Sequence, residues 1–294
     1  MPQKKMTFQQ RIESGKRIVI TEINPPEDAD AARVRDLATR FTGKVHAVGV
    51  SDNRDGVRMS ALVAASIIKS AGVEPILHMS TRDRNRAALM ADCLGAHALG
   101  ITSLLCTSGT HQTLLSFSNA KNVFDIDATV LLQLCTELLR KDGSGQPFCL
   151  GAVASPFADP AELQLVRLAQ KINVGARFII THPVFDFERF DGWLREVVVR
   201  QLQEKAAIIA GVKILADAGT AKKFAASRPL PMVPVSVVER LEKAADPRAE
   251  GIALARETVE KLLSMKEIRG IEVVCDEDPS AIEEVLAHVK TELE

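Results

Sequence analysis

The chain has 294 residues, of which 46% are hydrophobic, and its formal net charge is −1 at pH 7. A balance this close to neutral gives no electrostatic attraction to nucleic acid or to an anionic membrane surface, so neither is expected as a partner. The sequence contains no run of about 18 apolar residues that would predict a transmembrane helix. No apolar signal core follows the basic start of the chain, so we expect a cytoplasmic protein.

The five cysteines predict neither disulfides nor a metal centre. Their number is odd, and no two are spaced as Cys-x-x-Cys. Cys106, Cys149 and Cys275 lie in apolar runs, which favours buried structural thiols. We therefore expect no metal.

Strand-like and helix-like segments alternate along the chain. Short apolar runs rich in β-branched residues predict eight strands, at 17–21, 44–50, 74–78, 101–106, 147–153, 177–181, 206–210 and 271–275. Apolar residues at helical spacing predict helices at 28–41, 58–71, 82–98, 127–141, from 159 onward, 187–203, 216–226, 235–245, 248–265 and 279–293.

This alternation predicts an α/β fold, a (β/α)8 TIM barrel. No Gly/Ser-rich or Pro-rich linker divides the chain, so residues 1–294 are expected to form one domain with a core at about 8–290. An open, doubly wound sheet is the alternative. It is disfavoured because no Gly-x-Gly-x-x-Gly follows the first strand.

Polar side chains stand at the ends of most of the predicted strands. Active sites of TIM barrels lie at the carboxyl ends of the strands, so these side chains form the candidate site. In chain order they are Glu22, Ser51, Asp52, Asn53, His78, Thr107 to His111, Ser155, Thr181 and His182.

Glu22 is the strongest candidate for a general acid. It follows a buried run and precedes the stiff Pro25-Pro26 turn. An apolar surround would raise its pKa toward neutrality, so that it would carry a proton. The alternative is a surface glutamate that caps the next helix.

Other polar groups leave two interpretations open. His78 and His182 could bind a ligand or transfer protons, or they could be buried histidines with satisfied hydrogen bonds. The turn at 108–110 could present backbone N–H groups to an anion. The charged residues at 82–86 are predicted to open a helix, either as a solvated salt-bridge network or as part of a site. The loop at 112–124 is expected to cover a ligand.

Seven short stretches occur in a characteristic order and spacing. They are 21–26 (TEINPP), 82–86 (RDRNR), 94–96 (LGA), 98–101 (ALGI), 123–127 (VFDID), 157–160 (FADP) and 181–186 (THPVFD). Together they resemble the methylenetetrahydrofolate reductase family in its short, single-domain form, over about residues 8–290.

The resemblance implies a TIM barrel that carries FAD at the carboxyl ends of its strands and passes a hydride to methylenetetrahydrofolate. It implies that Glu22 protonates N10 of the folate, and that NAD(P)H or a partner electron-transfer protein supplies the electrons. The positions implied to contact the flavin, its phosphates or the ring are Ser51, His78, Ser108, Gly109, Thr110 and Lys171. The positions implied to meet the folate are Glu22, Thr110 and His182. The short forms of the family also imply an oligomer or a subunit of a larger complex.

Two residues depart from the pattern of the family. Thr110 stands where an Asp is usual, and His182 stands where a Gln is usual. The alternative function is therefore a homologue that binds folate without reducing it, or with altered activity, and serves a methyl-transfer or electron-transfer partner. A barrel lyase or aldolase is a third alternative. Its nearest candidate for a Schiff-base lysine is Lys213.

Overall fold

The computed structural model describes residues 6–116, 119–138, 148–226, 233–276 and 278–289. Eight parallel strands close into a barrel in the order of the sequence, and the last strand pairs with the first. The strands are β1 Ile18–Ile23, β2 Ala47–Val50, β3 Pro75–Ser80, β4 Ser103–Thr107, β5 Cys149–Ala154, β6 Phe178–Pro183, β7 Ala207–Lys213 and β8 Gly270–Val274. The predicted TIM barrel is confirmed.

Helices follow the strands around the outside of the barrel. They are α1 Phe8–Ser14, α2 Ala31–Phe41, α3 Ala61–Ser70, α4 Arg86–Ala98, α5 Ala128–Leu138, α6 Ala161–Asn173, α7 Phe187–Val199, α8 Ala218–Ala226, α9 Val235–Lys243, α10 Pro247–Ser264 and α11 Pro279–Leu286. Within the described residues, none of the helices has the length and apolarity needed to cross a membrane.

Helix α1 was not predicted from the sequence. It begins with a capping box, in which the Thr7 hydroxyl accepts from the Gln10 backbone N–H and the Gln10 side chain accepts from the Thr7 backbone N–H. Its first residue, Phe8, packs edge-to-face on Phe178 at the start of β6, with ring centroids 5.2 Å apart. The helix therefore closes the amino-terminal end of the barrel.

The apolar core has two parts. One large cluster fills the space between the strands and the surrounding helices. A smaller cluster lies inside the barrel and includes Phe8, Ile18, Ile20, Ile76 and Phe178. Because these residues belong to the first halves of their strands or to α1, the apolar part of the interior lies toward the amino-terminal end.

Three boundaries differ from the prediction in ways that matter for the site. Helix α4 begins at Arg86, because Asn85 is its N-cap and accepts from the Ala88 N–H at 3.0 Å. The prediction that Arg82 opens this helix was therefore wrong. Strands β3 and β6 run past His78 and His182, which thus lie within strands rather than at their ends. The prediction that residues 1–294 form one domain stays a prediction, and its carboxyl-terminal part beyond 289 lies outside the described residues.

Candidate active site

Glu22 lies in the mouth of the barrel, as the second-last residue of β1. Its side chain is only 12% exposed, and its Oε1 lies 2.6 Å from Nη1 of Arg54, which comes from the loop after β2. The carboxyl group therefore points into the concave end of the barrel. The alternative interpretation, a surface glutamate capping a helix, is wrong.

The charge state of Glu22 differs from the prediction. Burial raises the pKa of this carboxyl, but the charge of Arg54 and its hydrogen bond to Glu22 oppose this effect, and the pKa lies below its ordinary value. Glu22 is a carboxylate in the ligand-free protein. The prediction of an apolar surround was wrong because Arg54, 32 positions later in the chain, supplies the counter-charge.

His78 stands beside Glu22 on β3. Its Nδ1 lies 3.8 Å from Oε2 of Glu22, and the histidine is 6% exposed. Burial lowers the pKa of this imidazole and outweighs the attraction of Glu22, so the ring is neutral at pH 7. Its Nε2 is buried and has no hydrogen-bond partner among the described residues. This ring is therefore not satisfied by the protein, which favours a ligand contact.

Gly49 on β2 makes room for this imidazole. A Cβ atom at position 49 would lie 2.8 Å from Nε2 of His78 and 3.5 Å from Cγ of Glu22. The glycine thus allows the acid and the imidazole to lie against the same strand.

Glu272 on β8 is a residue of the site that the sequence reasoning missed. It is 6% exposed, and its Oε1 is buried with no hydrogen-bond partner within the described ranges. Burial and then the Glu22 charge raise its pKa to about 8, with Arg54 opposing only in part. A lone glutamate inside an apolar run, Ile271-Glu272-Val273-Val274, is the signal that could have found it.

Lys213, the last residue of β7, forms an ion pair at this end of the barrel. Its side chain is 2% exposed, and its Nζ lies 2.5 Å from Oδ2 of Asp276, just after β8. Oδ1 of Asp276 also lies 3.6 Å from Arg54. An ammonium group held in this ion pair is not a free nucleophile, so the structure gives no support to a Schiff-base lyase.

Arg82 connects three loops above the strands. It is 1% exposed, and it binds both carboxylate oxygens of Asp83, at 2.8 and 2.7 Å. Its Nη1 donates to the carbonyl of Thr110 at 3.1 Å, and its Nη2 donates to the carbonyl of Asn53 at 2.8 Å. Arg82 thus belongs to a buried salt-bridge network rather than a solvated face, and this network fixes the loops after β2, β3 and β4.

The loop after β2 is held in a second network. Ser51 donates from its hydroxyl to Oδ1 of Asn24. Asp52 accepts from the Ser80 N–H at 2.9 Å and forms an ion pair with Arg84. Burial raises the pKa of the Asp52 carboxyl more than Arg84 lowers it.

The turn at 108–110 has a fixed shape. Gly109 has a φ of +82°, and a Cβ at this position would lie 2.3 Å from Oγ of Ser80. The hydroxyl of Ser108 accepts from the Ala128 N–H at 3.3 Å, at the start of α5. With the Thr110 carbonyl bound by Arg82, the turn is held on both sides.

The loop that follows is held by a hydrogen bond from the Val123 N–H to the Arg82 carbonyl at 2.7 Å. That this loop covers a ligand stays a prediction, and 117–118 lie outside the described residues.

The remaining candidates belong to β6 and to α6. His182 lies near the end of β6, where the pairing with β7 shifts register. The Thr181 hydroxyl accepts from the Gly211 N–H at 3.1 Å and so bridges these two strands. Lys171 lies on α6 and donates to the Val153 carbonyl of β5 at 2.8 Å, and burial lowers its pKa. Contacts of His182 and Lys171 with a ligand stay predictions.

All five cysteines are buried, which confirms the prediction of buried thiols at Cys106, Cys149 and Cys275. Sγ of Cys93 lies 3.3 Å from Sγ of Cys135, behind the strands. In the described part of the chain, no group of three His, Cys, Asp or Glu side chains is placed to hold a metal ion.

Two sequence comparisons indicate the same family. A sequence model of the family described as methylenetetrahydrofolate reductase matches residues 7–290. A Caenorhabditis elegans protein named probable methylenetetrahydrofolate reductase (NADPH) is 26% identical over 194 residues, which are 65% of this chain. The matched segment spans 28% of that relative's length.

Solved structures confirm the fold. A protein from Clostridium thermocellum, described as uncharacterized and as binding two copies of 5-methyl-5,6,7,8-tetrahydrofolic acid, superposes with a TM-score of 0.69 at 13% identity, covering 95% of this chain and 96% of that one. A 2,3-dimethylmalate lyase of the PEP mutase/isocitrate lyase superfamily gives a TM-score of 0.53 at 10% identity, covering 97% of this chain and 85% of that one. At these identities the likeness concerns the barrel alone.

Proposed function

Because the chain belongs to the methylenetetrahydrofolate reductase family, we propose that it reduces 5,10-methylenetetrahydrofolate to 5-methyltetrahydrofolate, with FAD as cofactor and Glu22 as general acid. The observation that carries the proposal is the position of Glu22. Its carboxylate faces the barrel mouth, with Arg54 at 2.6 Å and His78 at 3.8 Å. A carboxyl group at the carboxyl ends of barrel strands is where this fold places its reacting groups.

The proposed role of Glu22 is to donate a proton to N10 of the bound folate. Protonation weakens the bond from N10 to the bridging carbon, so the five-membered ring opens to an iminium at N5. When bound and reduced, FAD supplies the hydride that the bridging carbon accepts. Arg54 holds the Glu22 side chain in one orientation between turnovers.

The residues proposed to hold FAD are His78, Ser51, Lys171 and the turn at 108–110. The buried, unpartnered Nε2 of His78 supports this role, because a bound group could satisfy it. The turn at 108–110 is already rigid, so its backbone could meet a flat ring without further ordering. Thr110 brings a neutral hydroxyl in place of a carboxylate, so the field on a reduced flavin would differ from that in most of the family.

We propose that NAD(P)H or a partner electron-transfer protein reduces the flavin. The name of the C. elegans relative specifies NADPH for that protein. An oligomer, or a complex with such a partner, stays a prediction.

A second candidate function is folate binding without reduction. It is favoured by Thr110, which removes the usual carboxylate from the turn, and by His182 in place of an amide. In this case the barrel would present a folate-bound methyl group to a partner protein. Glu22 and its neighbours would then bind the pterin without transferring a proton.

The first test is a visible absorption spectrum of the purified protein, before and after addition of FAD. The proposal predicts flavin absorbance that remains after gel filtration. A colourless protein that ignores added FAD but binds 5-methyltetrahydrofolate would support the second function and reject the first.

The second test compares Glu22→Gln with Glu13→Gln, a matched change on the exposed face of α1 at the opposite end of the barrel. Glu22→Gln should keep flavin and lose folate turnover by about 10²- to 10⁴-fold, the usual contribution of a general acid. Turnover is measured as oxidation of 5-methyltetrahydrofolate with an artificial electron acceptor. Glu13→Gln should match the wild type.

A further inference from the structure

Glu272 lies on the floor of the mouth, below Glu22. In the pairing of β1 with β8 its Cα is opposite Ile20, and in the pairing of β7 with β8 it is opposite Gly211. Its neighbours Ile271 and Val273 pack into the outer core between strands and helices. Since side chains alternate along a strand, Glu272 faces the barrel interior, two positions below the level of Glu22.

The carboxyl group of Glu272 has no counter-charge of its own. Its Oε1 is buried without a hydrogen-bond partner, and no ion pair reaches the residue in the described part of the structure. A bare carboxylate in such a place costs far more free energy than a neutral carboxylic acid. Burial alone therefore favours the protonated form.

The neighbouring charges lead to the same result. Among the described residues, Arg54 and Lys213 are cations near this end of the barrel, and each is already paired with another carboxylate. Arg54 binds Glu22 at 2.6 Å, and Lys213 binds Asp276 at 2.5 Å. With both pairs formed, the cluster is electrically neutral only if Glu272 keeps its proton.

The directions of the pKa shifts agree with this balance of charges. The pKa of Glu272 is raised to about 8 by burial and then by the Glu22 charge, while the pKa of Glu22 itself is lowered. His78, which faces Glu22 from β3, is neutral because burial lowers its pKa. At neutral pH the two glutamates thus hold one proton between them, and it resides on Glu272.

We propose that Glu272 stores the proton that Glu22 delivers to the folate. This inference rests on the proposed function of Glu22. One proton moves and no electron does: the O–H bond of Glu272 breaks, an O–H bond forms on Glu22, and that proton then passes to N10. Glu272 is left as a carboxylate and is reprotonated from solvent after the product leaves. Glu272 acts on the folate through Glu22, so it is a positioning residue that holds the proton ready for Glu22.

The proton itself is measured in the ligand-free protein by infrared spectroscopy, since a carboxylic acid and a carboxylate absorb at different frequencies. The wild type should show a carboxylic-acid band that disappears with an apparent pKa of about 8. Glu272→Gln should lose this band, and the surface control Glu13→Gln should keep it. Glu22→Gln removes a charge that raises the pKa of Glu272, so in this variant the band should disappear at lower pH than in the wild type. Survival of the band in Glu272→Gln, or its absence from the wild type at neutral pH, would overturn the proposal.

Turnover of the flavin-loaded protein gives the second readout. Glu272→Gln should lower kcat for folate by about 10-fold or more and abolish the change in rate near pH 8, with the KM changed much less. Glu272→Asp, which keeps a proton-bearing group, should recover part of the rate. A wild type that neither binds nor turns over folate would reject the proposed function while the infrared result stood. A Glu272→Gln variant with wild-type rate and pH profile would reject only the storage role.

Discussion

The interior of the barrel has two halves that are built from the same strands and differ in chemistry. Toward the amino-terminal end, Ile20, Ile76 and Ile180 lie in an apolar cluster that Phe8 and Phe178 complete. Two positions further along β1 and β3 stand Glu22 and His78. One strand therefore serves packing at its start and chemistry at its end, because residues two apart face the same side.

The difference between the halves has an energetic side. The apolar half gains free energy by burial of whole side chains, about 1.5–3 kcal/mol for each large one. The mouth gains little from its ion pairs, because removing charges from water offsets much of their attraction. We therefore expect changes in the apolar, amino-terminal half to affect stability alone, and changes in the mouth to affect ligands and protons as well as stability.

Phe178→Ala should produce the largest loss of stability. It removes the aromatic ring that Phe8 packs on and should lower the free energy of unfolding by about 3–5 kcal/mol. Urea denaturation followed by circular dichroism measures this loss. Val199→Ala, at a position that is 76% exposed, is the control and should change stability by less than about 0.5 kcal/mol. Weaker folate binding by the molecules that remain folded would contradict the division between the halves.

Arg82→Gln tests whether the mouth depends on its loop network. The change leaves two loop carbonyls without their partner and Asp83 with the Gln112 side-chain amide but no cation, and it should cost about 2–4 kcal/mol. Affinity for ligand should fall as well, because the loops after β2, β3 and β4 lose their common anchor. Arg195→Gln, an exposed arginine on α7, is the control. Equal affinity in both variants, measured by isothermal titration calorimetry, would show that the loops are held by other contacts.

Glu272→Gln should have an effect on stability that depends on pH. A carboxyl whose pKa is raised on folding makes its full contribution to the free energy of unfolding below its unfolded pKa. This contribution is lost as the pH rises through the folded pKa of about 8. The stability of the wild type should therefore fall between pH 5 and pH 8 relative to that of the variant, by about 2–4 kcal/mol in total. Urea midpoints at these pH values measure the gap. A gap that does not change with pH would mean that Glu272 is ionised throughout.

Gly49→Ala should have the smallest effect on stability and a specific effect on the site. The added methyl group would lie 2.8 Å from Nε2 of His78, so the imidazole must move. We expect a loss of about 1–3 kcal/mol in stability and a shift of the His78 resonances in NMR spectra. Gly192→Ala on α7, where nothing lies within 4 Å of the added Cβ, should be neutral or stabilising. Unchanged His78 resonances would show that the ring does not depend on Gly49.

Much of the fold could be predicted from the sequence, because its periodic patterns are local. Eight apolar runs predicted the eight strands. The helix predicted from 127 onward is α5, which Asp127 caps by accepting from the Val130 N–H at 2.8 Å. Helix α1 was missed because it is only seven residues long, and its main apolar contact, Phe178, lies far along the chain. Local patterns could not reveal that contact.

The residues of the mouth were predicted in part. The approximate place of Glu22 followed from the run before it and the Pro pair after it. Its charge state did not, because Arg54 reaches Glu22 from the loop after β2, and Glu272 comes near it only when β8 closes on β1. The sequence placed Arg82 in a helix because charged residues are common in a first helical turn. Its guanidinium group instead joins three loops, which come together only in the folded chain.

The apolar layer beneath the mouth closes the amino-terminal end of the barrel interior. With Phe8 and Phe178 filling the amino-terminal end, solvent reaches Glu272 from above. A ligand seated over Glu22 would therefore cut the inner carboxyl off from bulk water and fix the number of exchangeable hydrogens inside. Each catalytic cycle would then begin with the exchangeable hydrogens already inside the site. They would be taken up before the ligand binds and replaced only after it leaves.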